Sequence, residues 1–136
     1  MRGWIAALLA AGMLAACSPM QDISGADAQI AAFHKALNAQ DFATIYAQSA
    51  PEMKAATTPD AHTKLMSAIH RKLGNFQSGA DTSWNDNVAT GGHFLTIGYA
   101  AKYDRGTATE TFVYGIDGAR ALLVSYNVNS TALILN

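Results

Sequence analysis

The sequence predicts an α+β fold in which two to three N-terminal helices pack on a curved antiparallel sheet of about four strands. Two observations carry this. Apolar residues recur at three- and four-residue steps as far as Leu73, and from Gln77 onward the period changes to two. The strand half is also punctuated by short turn signals, of which Asp117-Gly118 is the clearest, and such tight connections join antiparallel neighbours.

The first helix is expected from Asp27, a side chain able to cap it, with Ile30, Phe33 and Leu37 forming its apolar stripe. Asn38-Ala39-Gln40-Asp41 breaks it. Asp41 then caps a shorter helix with Phe42, Ile45 and Tyr46 on one side, closed by Ser49-Ala50-Pro51. Thr58-Pro59-Asp60 opens a third, with a hydroxyl cap, a proline at the first helical position and an acid at the positive end of the dipole. Leu65, Met66, Ile69 and Leu73 give that helix its buried face, Arg71 and Lys72 suit its negative end, and Gly74 stops it.

Residues 77–84 are expected as a first strand and Asn85–Gly92 as a polar loop. His93–Tyr103 alternates, Asp104-Arg105-Gly106-Thr107 turns the chain into Ala108–Ile116, and Ala119–Asn129 returns after the Asp117-Gly118 hairpin. A two-residue loop there places Phe112 opposite Leu123 and Glu110 opposite Ser125, and the preceding turn places Tyr99 opposite Phe112 and Ala101 opposite Glu110. One face then carries Leu95, Ile97, Tyr99, Phe112, Tyr114, Ile116 and Leu123 and should take the helices. Val124, Tyr126 and Val128 fall on the other face, which is too apolar along its last strand to be left wholly in water unless the sheet curls over it. The tail Thr131–Asn136 is apolar for a chain end; continuing the last strand, folding over the sheet, or adding to a partner's sheet edge would each use it.

Composition narrows the class. Nine Lys+Arg stand against ten Asp+Glu in 136 residues, so no basic excess exists to displace counterions from phosphates, and no nucleic-acid partner is expected. A single cysteine excludes an intrachain disulfide and a cysteine-cluster zinc site. Residues 1–16 hold thirteen apolar residues and one charge, Arg2. That run is shorter than the roughly 20 residues of a spanning helix and has the basic start and apolar body of an export signal.

Leu14-Ala15-Ala16-Cys17 resembles the lipobox of bacterial lipoproteins. The resemblance implies cleavage between Ala16 and Cys17, acylation of Cys17, and a lipid membrane as the partner of the acylated residue. Two or three acyl chains, at about 0.8 kcal/mol per buried methylene, hold a domain on a membrane where one would not. Ser18 in place of an acidic residue implies the outer membrane of a bacterial cell envelope, with the domain facing the periplasm. The expected organisation is a signal peptide at 1–16, a lipidated tether at 17–25 and one α+β domain at 26–136.

The body resembles a second group. Ala36-Leu37-Asn38-Ala39-Gln40-Asp41-Phe42, the Leu73-Gly74 helix end, Thr109-Glu110-Thr111-Phe112-Val113, Asp117-Gly118 and Ser125-Tyr126-Asn127-Val128-Asn129-Ser130 are similar to small bacterial exported domains with a nuclear transport factor 2-like or cystatin-like cone. The resemblance covers roughly residues 27–130 and implies a fold more than an activity, because that fold hosts enzymes, binders and scaffolds alike. Ala121 and Leu122 stand where those domains place an aromatic.

Glu110 is the one weak catalytic candidate: a carboxylate on the bulky face near tyrosine and serine hydroxyls can serve as a general base, and Tyr99, Tyr103, Glu110 and Ser125 would line its pocket. The plainer expectation is an acid at the open end of the sheet, paired with Lys102 or Arg105. His34, His62, His70 and His93 show no metal-ligand spacing; His62 and His70 lie about 12 Å apart along a helix. His34 and His70 flank apolar stripes and are expected at the core boundary. Lys64, Arg71 and Lys72 are expected as a basic cluster on the third helix, facing solvent or anionic headgroups. No phosphate loop, nucleophile elbow, cofactor motif or metal motif is present, so neither a cofactor nor a metal is expected. The expected function is a non-enzymatic, membrane-anchored domain that binds a protein partner or self-associates. A small-ligand-binding cone is the alternative, with a lyase or isomerase using Glu110 behind it.

Overall fold

A computed structural model describes residues 18–136. Leu14, Ala15, Ala16 and Cys17 therefore lie outside the described residues. The elements follow in the order α1 Pro19–Asn38, α2 Phe42–Ala47, α3 Pro51–Ala56, α4 Pro59–Leu73, β1 Phe76–Ala89, β2 Gly92–Tyr103, β3 Gly106–Asp117, β4 Arg120–Asn129 and α5 Ala132–Leu135. The four strands form one open, curved antiparallel sheet in the order β1-β2-β3-β4, with the helices packed on one face. None of the described helices is long and apolar enough to cross a membrane.

The first helix is longer than its Asp27 cap predicts. It begins at Pro19, so residues 19–25, expected as tether, are helical. Proline is pre-organised for the first helical turn, Asp22 sits favourably at the positive end of the dipole, and Ile23 and Ala26 extend the stripe of Ile30, Phe33 and Leu37 back towards the start. Gly25, the last residue of the expected tether, is carried inside the helix by that packing. Asp41 caps α2 as expected: it accepts from the Thr44 amide at 3.3 Å and from its hydroxyl at 2.7 Å. Pro51 does more than stop α2, because it occupies the first helical position of α3, which the sequence reading omits. Thr58 caps α4 through the Ala61 amide, and Gly74 ends it at φ 77°, the left-handed region that glycine enters without cost. The C-terminal tail forms the short α5 and not a strand. Ala132 is buried, Leu133 packs on the core, and Lys72 Nζ donates to the Leu133 carbonyl at 2.7 Å.

In the sheet, β1 runs on to Ala89 through the stretch expected as a loop, and the turn is only Thr90-Gly91. It is an edge strand whose residues are largely exposed, so it shows little of the apolar alternation that marks a half-buried strand. A two-residue turn at Asp104-Arg105 sets Tyr99 opposite Glu110 and Ala101 opposite Ala108. This differs by two residues from the expected register. A slip of two leaves every side chain on its expected face.

The last pair behaves differently. Gly118-Ala119 is the turn, with Gly118 at φ 60°, and Tyr114 lies opposite Leu123. Val124 is then inserted as a β-bulge, and beyond it Val113 faces Ser125, Phe112 faces Tyr126 and Glu110 faces Val128. One extra residue inverts the alternation of the rest of the strand. Tyr126 and Val128 therefore turn towards the helices and pack on the core, and Ser125 becomes exposed on the outer face. The core is filled by Ile30, Leu37, Met66, Leu73, Leu95, Ile97 and Phe112, each at most 2 % exposed. Each such side chain contributes roughly 1.5–3 kcal/mol through burial.

Candidate functional site

Glu110 is wholly buried, at 0 % exposure, and does not lie at an open sheet end. Alternation along β3 turns it inward with Phe112 and Ala108, and α1 crosses directly above. Its Oε2 lies 2.8 Å from His34 Nε2, and its Oε1 accepts from the Tyr103 hydroxyl at 2.5 Å and the Tyr126 hydroxyl at 2.6 Å. Three donors on one buried carboxylate satisfy the charged form, which would otherwise be prohibitively costly to bury. Both tyrosines hold their protons more tightly than usual. Burial is the larger cause for each, and the neighbouring Glu110 charge adds to it. They are fixed donors.

The carboxylate in turn fixes His34. With Nε2–H donating to Glu110, the lone pair of the neutral ring resides on Nδ1, which is buried and has no hydrogen-bond partner. Phe76 stacks on the ring at 3.7 Å between centroids and 6° between planes, and the Phe33 and Phe112 rings meet it edge-on. A histidine oriented by a buried acid, with its other nitrogen unsatisfied, has the geometry of a general base or of a hydrogen-bond acceptor for a ligand donor.

His34 lies at the border of a cleft of about 680 Å³ between α1 and the β1–β2 edge, lined by Ile30, Phe76, Gly79, Tyr99 and Asp81 among others. Gly79 keeps this space open: a Cβ there would collide with the Tyr99 ring and come within 2.7 Å of the Ala100 carbonyl oxygen. Asp27 and Asp81 face each other across the cleft mouth. Partial burial, followed by the neighbouring Asp27 carboxyl, raises the pKa of Asp81 to about 6. The cleft thus combines an apolar floor, a buried imidazole at its border and an acid whose pKa is raised to about 6.

The sequence-predicted pocket is only partly assembled. Tyr99 lines the cleft, whereas Tyr103 and Glu110 lie behind His34 in the core, and Ser125 is on the opposite face because of the bulge. Lys102 and Arg105 do not pair with Glu110; the Arg105 guanidinium donates to the Arg71 carbonyl at 2.6 Å. His34, expected at the core boundary, is instead buried at 2 % exposure, and the sequence reading gave it no part in the site. It is four residues from Ile30 and three from Leu37, hence on the buried stripe, and that spacing is the signal that could have found it.

Two of the three basic residues expected as a cluster on α4 are separately engaged. Lys64 pairs with Asp60 at 2.8 Å, and Lys72 holds the C-terminal tail. His62 is buried with neither ring nitrogen bonded, and burial lowers its pKa. His70 lies 2.9 Å from Asn75 Oδ1. No known family model matches the chain, and comparison with curated proteins finds no match.

Proposed function

We propose that the chain is a lipid-anchored domain that binds a small, partly apolar molecule in the α1–β1–β2 cleft and accepts a hydrogen bond from it at His34. The single observation behind this reading is His34 at the cleft border, held by the buried Glu110 and with its buried Nδ1 unpartnered. Burying an unsatisfied nitrogen costs about 1–3 kcal/mol, and a ligand O–H or N–H that met it would recover that penalty as affinity. The flanking Phe76 and Tyr99 rings suit a planar or apolar ligand body. Tyr126 and Val128 pack on the core, which removes two of the three residues of the outer-face patch Val124, Tyr126 and Val128 expected from the sequence.

The lipobox residues Leu14, Ala15, Ala16 and Cys17 support the anchoring half of the proposal, with the domain on the periplasmic side of the outer membrane of a bacterial envelope. Cys17→Ser should abolish acyl labelling and move the protein to the soluble fraction. An unchanged membrane fraction would refute the anchor.

Asp81 favours a second reading, proton transfer within the cleft, in which His34 takes the proton and Asp81 supplies one. In that reading Glu110 is a positioning residue, and His34 is the base. Phenol and toluene separate specific from greasy binding, since they share a ring and differ in the donor. Phenol should shift the ring 15N resonances of His34 and the amides around Tyr99 at lower concentration than toluene does. His34→Phe, which keeps a flat ring against Phe76, should remove the difference. Equal responses to phenol and toluene in the unsubstituted protein would reject the site.

A further inference from the structure

We propose a divalent transition-metal site, of the zinc type, formed by Asp22 of α1, Asp86 of β1 and His93 of β2. The three residues come from separate elements, and one ligand atom from each lies within 4.8 Å of the other two. Val88 pairs with His93 and Asp86 with Leu95, so both side chains emerge on the helix-covered face of the β1–β2 hairpin. The first turns of α1 bring Asp22 against them. His93 Nε2 is 2.5 Å from Asp86 Oδ1 and 3.6 Å from Asp22 Oδ2.

Asp22 marks the cluster as more than an ion pair. Its side chain is only 10 % exposed, and its Oδ2, the oxygen directed at His93, is buried with no hydrogen-bond partner. A proton on the imidazole explains Asp86 and leaves Asp22 unexplained, because one N–H cannot serve an acceptor at 2.5 Å and another at 3.6 Å. A metal ion in place of that proton would bind all three. Tetrahedral ligands about 2.0–2.2 Å from a central ion stand about 3.3–3.6 Å from one another, so the Asp22–His93 separation already fits and the His93–Asp86 contact has to open by about 1 Å. The imidazole nitrogen favours zinc or a neighbouring first-row ion over magnesium or calcium, which prefer all-oxygen shells. Binding releases the Nε2 proton to solvent, and the two carboxylates balance the dication.

The full chain carrying Cys17→Ser, which removes the competing thiol, should be purified, treated with chelator and titrated with Zn²⁺ alone. One equivalent should bind. Saturation at a hundredfold excess over Kd should raise Tm by on the order of 10 °C. Mg²⁺ at the same concentration should give neither effect. Asp22→Asn should weaken Zn²⁺ binding at least tenfold and erase the Tm shift. Its metal-free Tm, measured in parallel, shows whether that variant is folded, and His93→Gln gives an independent loss. Zn²⁺ binding that is absent from the parent protein, or that persists at full strength in both variants, would overturn the assignment.

Discussion

Replacing Glu110 by glutamine and by alanine separates its charge from its shape. In Glu110→Ala three buried donors lose their acceptor: the Tyr103 and Tyr126 hydroxyls and His34 Nε2. Stranding each costs about 1–3 kcal/mol, and water entering the vacated space recovers some of it, so a net loss of about 4 kcal/mol is expected. Glu110→Gln keeps a carbonyl oxygen for the two tyrosines. Those bonds fall from the charge-assisted range of about 1.5–3 kcal/mol to about 1 kcal/mol each, while the cost of burying a charge disappears. The net loss should be about 1 kcal/mol. The glutamine amide would present N–H to His34 Nε2, which must then accept, so the ring proton has to move to Nδ1. Urea unfolding at constant m-value measures the energies, and long-range 15N spectra of the imidazole read the tautomer. Alanine within 1 kcal/mol of the parent, or an unchanged His34 tautomer in the glutamine variant, would refute the account of this cluster.

The remaining predictions concern the cleft and α1. Asp81 takes up its proton at about 6 when folded and near 3.8 when unfolded, so folding binds a proton between those values. The associated stability is fully present below pH 3.8 and is lost as pH rises through 6; with both carboxylates solvent-exposed, screening holds it to about 1 kcal/mol. Asp27→Asn should lower the Asp81 midpoint, seen in the carboxyl 13C titration, but only in part, because burial is the larger cause. An unmoved midpoint would exclude coupling between the pair. Gly25→Ala meets nothing within 4 Å and lies inside α1, so thermal unfolding should show a gain of about 0.5–1 kcal/mol. Gly79→Ala should cost about 1–3 kcal/mol by driving the new methyl into Tyr99 and the Ala100 carbonyl, and it should weaken phenol binding as the cleft closes. Equal melting points for the two alanine variants would contradict the packing described for both.

Much of the fold is legible because period and turn chemistry are local. The stripe of Ile30, Phe33 and Leu37, the Thr58-Pro59 start and the Asp117-Gly118 signal each act over a few residues, and each marks an element that forms. What escapes reading depends on contacts distant in sequence. β1 past Asn85 is polar and extends as a strand because β2 offers it hydrogen bonds over its whole length. The Val124 bulge carries no marker in the sequence, yet it decides whether Tyr126 or Ser125 faces the helices. The site was half legible for the same reason. Alternation turns Glu110 inward, but its histidine is 76 residues away on α1, and the sequence holds four histidines with nothing local to rank them.

Helix α1 ties these features together. Its first turn carries Asp22, its third and fourth carry Asp27 and Ile30, and His34 comes about 18 Å along the axis from Asp22. The helix starts two residues after Cys17, so an acylated cysteine would hold the Asp22 end next to the bilayer, with the cleft farther out. A metal ion at Asp22, Asp86 and His93 would fasten that end to the β1–β2 hairpin. The His34 end needs no such fastening, since Phe33 and Leu37 are buried on either side of it and Glu110 holds the ring from below. Loss of the ion should therefore loosen the first turns of α1 while the dyad keeps its geometry. Clamp and dyad are then two energetically separable parts of one helix, because sites more than about 10 Å apart without shared partners act nearly additively.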